Sequence, residues 1–140
     1  MDRKRISVVG WYDKANIGDE SYKLSFPKVF PHYDFVFSEK PTDAECHILG
    51  GGDIISDDFV AKFRHLNNKH IISAAISKPV KNLNDFKTIG VRDMISLANA
   101  AASGVKADYV PDFAFALEGN ADNGRQIIKE RFAAERAEQY

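Results

Sequence analysis

The sequence predicts an α/β domain built on an open, mostly parallel sheet flanked by helices. Three observations predict it. Short apolar runs recur at residues 5–9, 34–37, 45–49, 70–75, 87–91 and 107–110. Several of them lead through a loop into a stretch of helical periodicity, the alternation that parallel strands require. The loops that follow three of these runs gather Gly, Asn, Asp, Glu and Arg, and in doubly wound sheets successive strand ends face one crevice.

Residues 5–9 form the first strand, with Ile6, Val8 and Val9 apolar, and it ends at Gly10. A polar loop then leads to a helix over 19–26, on which Tyr22 and Phe26 share a face that Val29 and Phe30 continue. Pro27 ends or kinks that helix, and Pro31 prevents its recovery. Residues 34–37 are a short second strand, and 38–43 a turn carrying Pro41. Residues 45–49 are the third strand, closing in Gly50, Gly51, Gly52 and Asp53. A helix over 57–66 turns Phe59, Phe63 and Leu66 inward, with Asp57 and Asp58 as its capping residues. Residues 70–75 are the fourth strand, and 78–86 a loop with one helical turn.

Residues 87–91 are the fifth strand. It passes through Arg92 and Asp93 into an alanine-rich helix over 94–103, which Gly104 closes. Residues 107–110 are the sixth strand, with Pro111 and Asp112 at its end. Phe113, Phe115 and Leu117 alternate with alanines and read as core edge. From Asp122 the chain reads as a helical tail docked by Ile128 and Phe132, polar after Ala134, with a frayed last turn. Residues 1–120 thus form one α/β domain and 121–140 a tail.

Composition narrows the function classes. The chain of 140 residues has 44% apolar and 28% charged residues, ordinary globular values. Its 19 basic and 20 acidic residues give a net charge of −1, with no electrostatic footprint for nucleic acid or anionic membrane. No apolar stretch approaches the ~20 residues of a membrane span. The charged start, Arg3, Lys4 and Arg5, does not read as a secretory signal. A single cysteine, Cys46, excludes an intrachain disulfide and reads as a buried thiol, so a reducing cytoplasmic location is expected. The histidines (His32, His47, His65 and His70) have no metal-ligand spacing with Cys46, and no metal site is expected.

The loop from Gly10 to Glu20 is the first candidate site. It is neither G-x-x-x-x-G-K-[ST] nor G-x-G-x-x-G. Asp19 and Glu20 in a first helical turn suit the helix dipole and would repel a phosphate there. Carboxylates of this kind meet hydroxyls or amines, as on a sugar. Alternatively, Asn16 caps the helix and the two acids only favour its dipole. The glycines Gly50 to Gly52, followed by Asp53, let backbone approach a ligand or take positive φ; a tight strand-to-helix turn needs the same. Arg92 either binds an anion or pairs with a carboxylate of the loop set, and Ser96 lies one helical turn further on.

These residues resemble the polysaccharide pyruvyl transferase family. Four pieces match in the family's order. They are G-x(5)-N-x-G-D-E at Gly10 to Glu20, the strand and triple glycine at His47 to Asp53, V-R-D-x-x-S at Val91 to Ser96, and Gly104-Val105 followed by V-P-D-F at Val110 to Phe113. The resemblance covers most of 5–117. It implies the Rossmann-like first half of a glycosyltransferase-B-type architecture. It also implies transfer of a pyruvyl group from phosphoenolpyruvate onto two hydroxyls of a sugar, with no further cofactor. The ligand set it points to is Asn16, Gly18, Gly50, Gly51, Gly52, Asp53, Arg92, Asp93, Ser96 and Asp112, with Asp19 and Glu20 as candidate catalytic carboxylates. The family's catalytic His and basic donor pocket belong to its C-terminal half and find no counterpart in these motifs.

Three functions follow as expectations. As an enzyme, alone or with a homodimer completing the crevice, the domain would use Asp19 or Glu20 to orient or deprotonate an acceptor hydroxyl. Arg92 would meet the donor carboxylate, and the Gly50 to Gly52 amides would meet anionic oxygens. As a binding protein it would hold the sugar or nucleotide without transfer. As an inhibitor or adaptor it would meet a protein partner through Trp11, Tyr12, Tyr33 and Phe35, unless that set is buried at the sheet edge.

Overall fold

The computed structural model describes residues 2–119, 122, 123, 125–127, 129, 130 and 133. Six strands form one all-parallel sheet: β1 (Arg5–Val9), β2 (Asp34–Ser38), β3 (Cys46–Gly52), β4 (Lys69–Ala74), β5 (Thr88–Val91) and β6 (Asp108–Tyr109). Their order is β2-β1-β3-β4-β5-β6. The chain runs outward from β1 to β2, crosses back to β3, and then proceeds in the other direction. The switch point lies between the carboxyl ends of β1 and β3. This is an open, Rossmann-like α/β fold.

Side chains alternate across the pleat and feed two cores. Ile6, Val8 and Ile48 point to one face, where Tyr12, Tyr22 and Phe26 cover them. Val9, Leu49 and Ile71 point to the other, against Val60, Phe63, Leu83 and Ala100. The first core is aromatic: Phe26 has Phe35, Phe37 and Phe113 around it, with ring centroids 4.9–6.1 Å apart. Edge-on and tilted pairs of this kind add to simple area burial.

Helix positions depart from expectation in instructive ways. The helix expected over 19–26 is two helices, α1 (Ile17–Glu20) and α2 (Tyr22–Val29), joined at Ser21. Pro27 lies inside the last turn of α2 and the helix ends two residues later, so it marks the end without cutting it early. The helix expected over 57–66 is α3 (Asp57–Ala61), with Ser56 rather than the aspartates as N-cap. Tighter i→i+3 bonds then carry the chain to Leu66. The helix after Arg92 is α4 (Met94–Ala102), closed at Gly104 with φ +83°.

The third strand runs three residues further than its apolar stretch, because Gly50 and Gly52 pair with Ile72 and Ala74. At this level two neighbouring strands leave the extended conformation together. Gly51 has φ +82°, Gly52 +78° and, across from them, Ser73 +57°. Relative to β5, β4 carries one extra residue between Ile71 and Ala74. Such bulges bend a strand and re-aim its end. Ser73 is held there by donating its hydroxyl to Pro111 O at 3.3 Å and accepting the Phe113 N–H at 3.0 Å.

Phe113 packs into the aromatic core, but Phe115 does not. Residues Phe113–Ala116 form a 3-10 turn, whose three-residue period brings Phe113 and Ala116 to one side and leaves Phe115 outside. Of the expected aromatic patch, Tyr12 is buried and Phe35 half-buried, while Trp11 and Tyr33 are exposed. The expected docking of Ile128 and Phe132 and the frayed end after Ala134 lie outside the described residues. No helix among the described residues is long and apolar enough to cross a membrane.

Candidate functional site

A cleft of about 620 Å³ opens at the switch point. It is lined by the loop after β1, the end of β3, the segment after β4, and the ends of β5 and β6. Asn16, Gly18, Asp19, Gly52, Asp53, Arg92 and Asp112 all reach it, so residues up to 96 positions apart in sequence share one space. Asn16 has two tasks, since its Oδ1 also accepts the Asp19 N–H at 3.3 Å and caps α1.

Asp19 is the most distinctive group. Its Oδ1 lies so close over Gly52 that a Cβ at that glycine would stand 2.6 Å away. Among the described residues, no donor hydrogen-bonds its carboxylate. Burial pushes the Asp19 carboxyl above the ordinary carboxylate range; the Arg92 guanidinium pulls it partly back, and Glu20 pushes the same way as burial. A half-buried carboxylate left open towards a cleft is ready to accept a hydrogen bond, or a proton, from a hydroxyl.

Arg92 does not stand free. Its Nη1 donates to Asp112 Oδ2 at 3.0 Å. The Tyr22 hydroxyl donates to the same oxygen at 2.9 Å and accepts the Gly52 N–H at 3.1 Å. Of the two readings of Arg92, the pairing with a carboxylate is the one the structure shows, and the same side chain lines the cleft. Lys78 is the second cation of the lining, against Asp19, Asp53 and Asp112. Two cations against three carboxylates favour a hydroxyl-rich, uncharged group over a polyanion.

Five residues of the expected set do other work. Glu20 turns away from the cleft: its Oε1 accepts the Asp13 N–H at 2.6 Å and its Oε2 pairs with Lys23 Nζ at 2.7 Å. Those bonds, the Lys23 one foremost, hold its carboxyl below the usual range. Asp93 caps α4 by accepting the Ser96 N–H at 2.7 Å. Ser96 is buried and accepts the Ile76 N–H at 2.8 Å. Gly50 and Gly51 make room for protein rather than lining the cleft. A Cβ on Gly50 would stand 2.7 Å from Ile72 O, and one on Gly51 would stand 2.4 Å from the Tyr22 ring. The Gly52 amide is already spent on the Tyr22 hydroxyl.

Sequence reasoning missed Tyr22 as a site residue, because its spacing with Phe26 marked it as core. A phenol on an otherwise apolar face, three residues after Asp19, was the available signal. Lys78 and Ser77 carried no signal, since their place depends on the bulge in β4. Trp11, expected at a protein interface, lines the cleft as a residue 43% exposed, with Lys14 Nζ 5.1 Å from its ring centroid. Among the described residues no group of three or more His, Cys, Asp or Glu side chains is placed to hold a metal ion.

Fold and site together define a Rossmann-like α/β domain with a ligand-sized, carboxylate-rich cleft at its switch point. No protein-family model, curated protein or solved structure matches the chain.

Proposed function

We propose that this is a polysaccharide pyruvyl transferase-like domain whose cleft receives the sugar acceptor. The observation that carries the reading is the Asp19 carboxylate: half-buried, without a hydrogen-bond donor among the described residues, and facing the cleft beside Arg92. In pyruvyl transfer two sugar hydroxyls attach to the central carbon of phosphoenolpyruvate and phosphate leaves. One hydroxyl proton ends on the new methyl group and the other on phosphate. Asp19 is the base that draws the first proton from the acceptor, and its raised affinity for protons suits that role. Trp11 offers an aromatic face to the sugar ring, and Arg92 meets the carboxylate of the donor.

The charge balance of the lining supports acceptor binding more than tight binding of the donor, whose phosphate and carboxylate need more cations than Arg92 and Lys78. The test is calorimetric titration with phosphoenolpyruvate and with nucleotide sugars, separately and together, followed by mass spectrometry of the sugar. Saturable sugar binding that is lost in Asp19→Asn, with the fold intact, supports the reading. Binding that survives Asp19→Asn unchanged sinks the role of Asp19. Absence of a pyruvylated product alongside sugar binding leaves a sugar-binding module.

A second reading rests on the rim. Ile17 and Phe115, each next in sequence to a cleft-lining residue, are 86% and 87% exposed. Large apolar side chains in such positions suit a protein partner that covers the cleft, in which case the domain acts as an adaptor or inhibitor. A monomeric mass in solution together with silence from every small ligand would favour that alternative.

A further inference from the structure

Lys69, the first residue of β4, is only 4% exposed. One of its three N–H donors goes to Phe63 O at 3.0 Å, and the Phe86 ring centroid lies 5.3 Å from Nζ. Among the described residues it has no second acceptor and no carboxylate partner. A buried ammonium without a counter-charge is costly, so its retention calls for an explanation.

Lys69 forms part of the wall of a second cleft, of about 550 Å³, between α3 and the turn at Leu83–Asp85. Arg64 and Lys81 stand on the same cleft at exposed positions, and neither is ion-paired among the described residues. The acids of the lining are Asp57 and Asp85, and Asp57 Oδ1 already accepts the Lys81 backbone N–H at 3.0 Å. Three cations therefore meet two carboxylates, one of them partly occupied. None of these residues lines the switch-point cleft.

We propose that this second cleft binds the phosphate group of a small, hydroxyl-bearing ligand. Lys69 is the buried anchor, and Arg64 and Lys81 reach the phosphate from the rim. Ammonium and guanidinium donors make their strongest hydrogen bonds to such oxygens, and Arg holds a phosphate through two of its donors at once. Asp57 and Asp85 accept from hydroxyls on the remainder of the ligand. The site is independent of the sugar-transfer reading and stands or falls without it.

The experiment is an amide-shift titration of the full chain with inorganic phosphate, and then with glycerol phosphate, at ionic strength held constant with chloride. The expected result is saturable shifts at Arg64, Lys69, Lys81 and Asn82, the last also on the wall of this cleft. Lys69→Met weakens phosphate binding about tenfold or more, the loss expected for a charge-assisted bond. Arg64→Gln, at an exposed position, weakens it severalfold with an unchanged melting temperature, which separates binding from folding. Linear shifts spread over the surface, saturation centred on Asp19 and Arg92, or equal affinity in wild type and Arg64→Gln would each overturn the proposal. Glycerol phosphate that binds no tighter than inorganic phosphate would overturn the part given to Asp57 and Asp85.

Discussion

The Tyr22 hydroxyl donates to Asp112 Oδ2 at 2.9 Å and so ties α2 to the turn that follows β6, 90 residues further along the chain. The same hydroxyl accepts the Gly52 N–H, so one phenol links three elements that wall the switch-point cleft. Tyr22→Phe keeps the ring and removes both bonds. The Gly52 amide and part of the Asp112 carboxylate are then left unsatisfied, at a cost of about 1–3 kcal/mol. Urea unfolding monitored by circular dichroism measures it. A midpoint equal to wild type would mean that water takes over both bonds.

Gly51 and Gly104 make a matched pair for a backbone test. Their φ angles are +82° and +83°, but among the described residues Gly104 has open space where a Cβ would go and Gly51 has the Tyr22 ring at 2.4 Å. Gly104→Ala carries the left-handed penalty alone, about 1 kcal/mol. Gly51→Ala adds displacement of a buried ring and is expected to cost about 3 kcal/mol or more. Equal losses in the two variants would show that the close approach of Tyr22 relaxes without resistance.

Acid stability should respond to His47. This residue is buried, and its Nδ1 has no hydrogen-bond partner among the described residues. Burial pushes the imidazole below its ordinary range, against the Ala44 backbone and Asp43, which favour the proton. The unfolded chain therefore binds a proton, near its ordinary pKa of about 6.5, that the folded chain resists, and stability falls as pH drops through that value. His70 is lowered by burial in the same direction. Thermal melts from pH 7.5 to 5 should show the decline, and His47→Gln should flatten part of it. Coincident profiles would remove His47 from the acid response.

The alkaline limb belongs to the tyrosines. Burial pushes Tyr22 up to about 12, with Asp112 adding to the effect, and holds Tyr12 higher still. Above the ordinary phenol range near 10 the unfolded chain loses protons that the folded chain keeps, so stability falls as pH rises through that value. In an ultraviolet titration of the five tyrosines, two should ionise late and together with unfolding. Tyr22→Phe should leave one late tyrosine. Five phenols ionising together near pH 10 with the fold intact would contradict the burial of both.

All six strands were legible because each carries apolar β-branched or aromatic residues in a short run. The mostly parallel order followed from the helical stretches between them. What stayed hidden depends on tertiary contacts. Glycines in a row announce freedom, but not that Gly51 exists for the Tyr22 ring and Gly52 for Asp19. Asp93 and Ser96 sit in a ligand-like spacing and are consumed by capping α4 and by holding Ile76. Arg92 could be placed at the crevice from sequence, while its partner, among several aspartates, could be found only in space. Phe115 looked like core through an alternation that a 3-10 turn does not follow.

The side-by-side departure of β3 and β4 from extended geometry, at Gly51 and Ser73, has a consequence for how this protein tolerates changes in length. The two strands are in step through the kink, Gly50 opposite Ile72 and Gly52 opposite Ala74. Deleting one residue from either strand alone puts its neighbour's tail one pleat out of phase and turns buried side chains towards water. Deleting one from each keeps the ladder matched. Along the β3–β4 ladder, the smallest matched change of length at the cleft wall is therefore a pair of codons, one in each strand.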